Sequence, residues 1–255
     1  MQQFDVSQIT QISPVAHAQS KEIAQWHVVN GMKIAVEFEG ADIEKIRKEI
    51  LGITDVSCFA RYGVKGPQAA QWLADHEIAI PANANSWTMY NKNTLVLRLG
   101  GSEFLLEDQL TGTTCKKLAS DTARVPSVYQ VPRADAAFIL SGREVLNLFS
   151  ELCAIDLSEK SLSTKDVVMT QVAGISATVL RQTIAGEQVY RLWCDGTYGA
   201  YMWDVLLEIA TELDGGAVGL AQYQNEVGAS KFLTTTELKH ANTLDFQGEI
   251  NEIVR

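Results

Sequence analysis

The chain has 255 residues, 46% hydrophobic and 20% charged, which is enough for a sizeable core in one or two domains. A formal net charge of −10 argues against a nucleic-acid surface, which needs a basic patch. No apolar run approaches the roughly 20 residues of a membrane-spanning helix, and the polar stretch Met1 to His17 lacks the basic-then-apolar order of a secretion signal.

Residues 1–25 are polar and weakly patterned, so a flexible or draped lead-in is expected. His27 to Val29, Asn30-Gly31 and Met32 to Phe38 predict a hairpin, because Asn-Gly suits a type I′ turn. Asp42 is placed to cap a helix that carries Ile43, Ile46, Ile50 and Leu51 at helical spacing. Glu44 and Lys48 are then expected to pair on its outer face. Cys58, Ala60, Tyr62 and Val64 alternate with Phe59, Arg61, Gly63 and Lys65, the period of a half-buried strand. Gly66 permits a sharp exit, Pro67 suits a first helical position, and Ala69, Ala70, Trp72 and Leu73 form an apolar helix face. Leu95, Leu97 and Leu99, then Gly100-Gly101 and Phe104 to Leu106, predict a second hairpin.

Residues 109–124 read as a loop with a short helix around Lys116 to Ala123, and Val125 to Val131, with Pro126, as an edge strand at best. Ala136 to Leu140, the break at Ser141-Gly142 and a helix over Glu144 to Cys153 repeat the earlier strand–Gly–helix order. Val145, Leu148, Phe149 and Leu152 share the apolar face of that helix. Three strands follow, over Val167 to Ala173, Ile175 to Thr183 and Val189 to Cys194. Tyr201 to Leu213 is an amphipathic helix stopped at Gly215-Gly216, and the polar segment 221–255 forms a tail.

The chemistry-bearing residues are sparse. Cys58, Cys115, Cys153 and Cys194 form no CxxC pair, and His17, His27, His76 and His240 have no metal-ligand spacing. Buried, reduced thiols in a cytoplasmic protein are expected, with no metal site. There is no nucleophile motif, P-loop or dinucleotide fingerprint, and His76 reads as a surface or loop residue rather than a general base. Trp72, Trp87, Trp193 and Trp203 suit a core or a subunit interface.

One run of landmarks carries a resemblance: Asp55-Val56-Ser57, Arg61-Tyr62-Gly63, Gly66-Pro67, Ala70 to Leu73, Asn85-Ser86-Trp87, Leu99-Gly100 and Ser102 to Leu106. Val131 to Asp135, Gly142, Ile155 to Leu157, Met169-Thr170, Val172 to Gly174, Tyr190 to Trp193 and Tyr201 to Trp203 extend it over roughly residues 50–220. The pattern resembles the gamma subunit of heterotetrameric sarcosine oxidase and, more distantly, the glycine-cleavage T-protein (aminomethyltransferase) family. The resemblance implies an α+β fold of two similar halves, antiparallel sheets with packed helices, like the aminomethyltransferase folate-binding domain. It sets a domain over residues 26–220, with halves of about 26–124 and 125–220.

The T-protein family binds tetrahydrofolate, gripping the pterin edge with a glutamate in a Gly-Glu-x-Gly-Phe-Glu type segment. Here Gly186-Glu187-Gln188-Val189-Tyr190-Arg191 puts Arg191 at that glutamate's position, and a guanidinium only donates hydrogen bonds. The family's catalytic aspartate turn corresponds to Asn91 to Leu95, which has no carboxylate. The resemblance therefore implies a non-catalytic accessory subunit. It would buttress a larger flavoprotein that oxidises sarcosine or a related N-methyl amino acid and passes the one-carbon unit to tetrahydrofolate. Flavin and tetrahydrofolate belong to the complex, with no cofactor on this chain alone. A free-standing folate-binding or aminomethyl-transferring protein stands as an alternative, as does a small-acid binding module using Arg191. Arg191, Asp195, Tyr190, Arg61, Trp87 and Glu103 are the ligand or interface candidates, with Asp195 a possible partner for Arg191, Glu103 expected to be solvated, and Arg61 expected to face solvent or an interface. Once isolated, the chain is expected to expose an apolar patch and self-associate.

Overall fold

A computed structural model describes residues 10–21, 25–121, 124–184 and 186–223. Most of the tail, and residues 1–9 and 22–24 of the lead-in, lie outside the described residues.

Residues 10–21 are built into the fold. They supply β1 (Gln11–Ile12), the short α1 (Ala16–Gln19) and a buried Val15. The predicted hairpin is present as β2 (Gln25–Val29) and β3 (Met32–Glu37), with Asn30 and Gly31 at φ 51° and 78°, as a type I′ turn requires. β1 joins β3 in parallel, making a three-stranded sheet in the order β1-β3-β2.

Helix α2 (Ala41–Leu51) starts one residue before Asp42, so Asp42 lies in its first turn and does not cap it. The helix also faces the other way round from the expected orientation. Glu44 is buried and Ile43 and Ile46 are exposed. The reason is local: the Glu44 carboxylate accepts the backbone N–H groups of Phe38, Glu39 and Gly219. Burial pushes this carboxyl above its ordinary range, against the opposing pull of those N–H groups. Lys48 pairs with Glu187 at 3.0 Å rather than with Glu44.

Next come β4 (Gly52–Asp55), which the sequence reading missed, β5 (Ala60–Lys65), α3 (Ala69–Asp75), β6 (Ser86–Asn91), β7 (Thr94–Arg98) and β8 (Glu103–Asp108). Pro67 sits in the turn before α3, which begins two residues later than expected. Then α4 (Thr114–Ser120) leads to β9 (Tyr129–Val131), a short edge strand, and to β10 (Ala136–Ser141) and α5 (Val145–Leu152). Strands β11 (Val167–Val172), β12 (Ile175–Ile184) and β13 (Glu187–Cys194) follow, then α6 (Gly199–Glu212) and β14 (Gly216–Ala217). The left-handed residue that ends α6 is Asp214, at φ 60°, ahead of the two glycines.

The strand–Gly–helix recurrence is a true structural repeat. One sheet runs β6-β7-β8-β5-β9 and the other β11-β12-β13-β10-β4-β14. In each, a strand, a helix and a three-strand meander return to the same order. The flanking strands are exchanged: β4, which precedes the first unit, pairs with β10 of the second, and β9, which precedes the second, pairs with β5 of the first. The two hinge glycines are equivalent. Gly66, at φ +126°, lies against the Ser127 carbonyl, and Gly142, at φ +102°, against the Ile50 carbonyl.

The sheets face one another across a core that includes Trp87, Leu95, Leu97 and Leu105 from one and Ile139, Leu180, Val189 and Trp193 from the other. Helices α3 and α4 cover the outside of the first sheet, and α1, α5 and α6 that of the second. This is the α+β, two-unit architecture that the resemblance implied.

Candidate functional site

The most unusual feature of this core is charged. Strand β5 lies beside β8 with Arg61 opposite Glu107 in register. Both side chains point into the space between the sheets, and Arg61 Nε donates to Glu107 Oε2 at 2.7 Å. From the second sheet, β13 presents Arg191 and Trp193 on the same face. Arg191 donates to Glu107 Oε1 at 2.5 Å, and Trp193 Nε1 donates to Glu107 Oε2 at 2.7 Å. Glu107 is 1% exposed and Arg191 is 1% exposed, so this network is fully desolvated. Burial by itself would raise the Glu107 carboxyl. The guanidiniums of Arg191 and Arg61 outweigh it and hold the group below its ordinary value.

The remaining hydrogen-bonding capacity is largely used. Arg61 also donates to the carbonyls of Val56, Ser57 and Asp135. Arg191 reaches Gln182 Oε1 at 3.4 Å, and its guanidinium lies 5.0 Å from the Trp193 ring centre and 5.6 Å from that of Phe59. A second buried carboxylate stands beside Arg61: Asp55 accepts from Ser13 Oγ at 2.6 Å and from the Ser57 N–H at 2.8 Å. Burial raises its pKa, opposed by those hydrogen bonds and by the Arg61 charge.

A carboxyl raised in the folded state contributes stability that is fully present below its unfolded value of about 3.8 and is lost as the pH rises through the folded value. Asp55→Asn is therefore expected to cost more, relative to the wild type, in acid than at neutral pH. Urea unfolding of both proteins across that range checks it.

Two surface cavities, both lined in part by Arg133 and Asp135, border this network. One, of about 580 Å3, is lined by Ile12, Met32, Phe59, Arg61 and Lys116 among others. The other, of about 600 Å3, is lined by Met169, Thr178, Trp193 and Asp195 among others. Neither contains a free buried charge, because Arg61 and Trp193 are already committed to Glu107.

The structure brings Arg61 and Arg191 together and leaves the other predicted residues apart. Arg61 does point away from Tyr62, yet it faces the interior rather than solvent or a partner. The acid that pairs with Arg191 is Glu107, not Asp195. Asp195 is exposed and accepts from Thr197 N–H and Oγ at 2.8 and 2.6 Å, which lowers its pKa. Tyr190 is buried on the opposite face of β13, where its hydroxyl donates to the Leu157 carbonyl at 2.7 Å. Trp87 is buried between the sheets and is a core residue of this chain. Glu103 opens β8 opposite Lys65 and is half-buried. Burial pushes the thiols of Cys58, Cys115 and Cys194 well above their ordinary range, as inert core groups. His76 bridges the Trp72 carbonyl and Asp121 between α3 and α4.

Glu107 is the residue that the sequence reading missed. Its signal was faint but present: an acid directly after the apolar run Phe104 to Leu106, in the same strand.

These features define a class: a domain of two interlocked β-α-β-β-β units with a closed ionic network on the axis between them. The chain belongs to the GCVT N-terminal domain family, whose model matches residues 15–225. Among solved structures it is similar to the glycine cleavage system aminomethyltransferase T from Bartonella henselae. The two are 15% identical with a TM-score of 0.62, and the match covers 85% of this chain and 61% of that one. It is also similar to heterotetrameric sarcosine oxidase from Corynebacterium sp. U-96, solved with pyrrole 2-carboxylate. There the identity is 18% and the TM-score 0.57, covering 81% of this chain and 98% of that one. At these identities the likeness is one of fold. This chain thus spans about three fifths of the aminomethyltransferase. No sequence match was found among curated proteins.

Proposed function

We propose that this chain is a non-catalytic accessory subunit of a sarcosine oxidase-like flavoenzyme complex. The partner is a larger flavoprotein that demethylates sarcosine or a related N-methyl amino acid, and flavin and tetrahydrofolate are held elsewhere in the assembly. The observation that carries this reading is the state of Arg191. At the position where the T-protein resemblance puts a pterin-gripping carboxylate, this chain has a guanidinium that is buried and paired with Glu107. A pterin edge presents donors that need an acceptor, and Arg191 supplies none. Glu107, the acceptor in reach, already takes three donors from Arg61, Arg191 and Trp193. The turn between β6 and β7, Asn91 to Thr94, also has no carboxylate to serve aminomethyl transfer. The small-acid reading loses its main support for the same reason, since Arg191 has an internal partner.

The test is recovery of the tagged chain from its own cells, with intact-mass analysis and a visible spectrum. The expected result is co-purification with a larger chain and a flavin absorption band near the blue. Recovery of the chain alone and colourless would remove the reading.

A further inference from the structure

On the helix-covered side of the first sheet, away from the ionic network, lies a cavity of about 440 Å3. It is framed by the β6–β7 turn, the 111–114 segment, α4 and the residues that follow α3. Its apolar wall is Ile78, Leu118 and the half-buried Tyr90, which pack in the cluster under α3 and α4 and not in the core between the sheets. Asn91 Oδ1 accepts the Asn93 N–H at 2.8 Å and so fixes the turn that carries Lys92. Lys117 comes from α4.

The charge of this cavity runs against that of the chain. There are 31 acids against 21 lysines and arginines, an excess that leaves few cations unclaimed. Lys48 is held by Glu187, Arg133 by Asp135, and Lys165 lies over the Trp87 ring. Lys92 and Lys117 both line the cavity, and among the described residues neither ammonium has an ion pair or a hydrogen bond. No carboxylate lines it. The acid beneath the 111–114 segment, Asp108, is fully buried and is committed inward, accepting from Thr94 Oγ1 and the Cys115 N–H, each at 2.7 Å. Gly112 lets the segment close over it, since a Cβ there would stand 2.6 Å from Asp108 Cβ. Asp121 is held by His76 Nε2 at 3.0 Å.

We infer that this cavity binds a phosphate monoester with a compact apolar body. Two ammonium groups balance the charge of a phosphate dianion. Each is a point charge with rotatable donors, which suits tetrahedral oxygens approached from two elements. The planar fork that favours a carboxylate is missing, since no arginine lines the cavity. The hydroxyls of Thr111 and Thr113 add donors. Ile78, Leu118 and Tyr90 supply the apolar surface for the organic part. The cavity uses no group of the Arg61–Glu107–Arg191 network, so this inference goes beyond the accessory-subunit reading and does not depend on it.

Calorimetric titration of the purified full chain with phenyl phosphate, inorganic phosphate and benzoate, each separately, tests it. The expected result is one saturable site for phenyl phosphate with a dissociation constant of about 1 mM or below, and binding of the other two about tenfold weaker or absent. Lys92→Gln and, separately, Lys117→Gln are expected to weaken phenyl phosphate about tenfold with unchanged circular dichroism, as each removes a charged hydrogen bond. Lys45→Gln, at an exposed position of α2, should leave it unaltered. No saturable heat with phenyl phosphate up to about 10 mM would overturn the proposal. So would binding that both variants leave intact, or benzoate or inorganic phosphate binding as tightly as the ester.

Discussion

Replacing Glu107 with alanine is expected to destabilise the protein by about 3–5 kcal/mol, the usual cost of leaving a buried charge without its partner. Two guanidiniums, of Arg61 and Arg191, would then share a desolvated site with no carboxylate between them, and Trp193 Nε1 would lose its acceptor. Urea unfolding gives the number. Glu107→Gln keeps the shape and one acceptor oxygen, so it should fall between alanine and wild type. Its pH dependence has a definite sign. The wild-type carboxyl is held low in the folded state, so its stabilisation is in place above the unfolded value of about 4.5. It is lost as the pH falls through the folded value. The gap between wild type and Glu107→Gln should therefore narrow in acid. A gap that widens in acid would mean that Glu107 is not held ionised by the two arginines.

The second large effect concerns the hinge glycines. A Cβ at position 142 would stand 2.4 Å from the Ile50 carbonyl oxygen, and one at position 66 would stand 2.1 Å from that of Ser127. Both positions also have φ beyond +100°, where side-chain-bearing residues are strained. Strain of about 1–3 kcal/mol and overpacking of a similar size give an expected loss of about 2–5 kcal/mol for Gly142→Ala or Gly66→Ala. Gly101→Ala is the control, since a Cβ there meets nothing within 4 Å. It should change stability by less than about 1 kcal/mol. Equal losses at positions 66 and 142, with none at 101, would be the energetic signature of the repeat. In each unit the glycine lets the segment that leads into the other unit cross close to the hinge: Gln68 N–H bonds to the Ser127 carbonyl, and Glu144 N–H to the Ile50 carbonyl.

What the sequence revealed follows from the range of the interactions. Alternation and helical spacing located β5, α5, β11, β12, β13 and α6 to within a few residues, because each has one clearly apolar face set by local periodicity. The orientation of α2 was lost. Ile43, Ile46 and Ile50 make a convincing stripe, but three amide donors collected by Glu44 turn the helix the other way, and one of them, Gly219, is far off in the chain. Strand β4 was hidden because its role is to pair with β10 of the other unit, a contact between residues more than 80 apart. The site was half legible. The substitution of Arg191 for an expected carboxylate could be read from the resemblance. Its partner could not, since Glu107 lies 84 residues away and on the other sheet. Alternation placed Arg61 opposite Tyr62, yet it cannot tell a polar residue facing water from one facing a buried acid. In β5 both faces are covered, one by helices and one by the second sheet, so the polar face is interior as well.

The central claim is that the axis between the two units is closed by Arg191 and Glu107, leaving no acceptor for a pterin. Calorimetric titration of the full chain with tetrahydrofolate, under anaerobic conditions and up to millimolar ligand, tests it most directly. The account predicts no saturable heat. Stoichiometric binding that Glu107→Gln abolishes would contradict it, and would place this chain among the folate-binding members of its family.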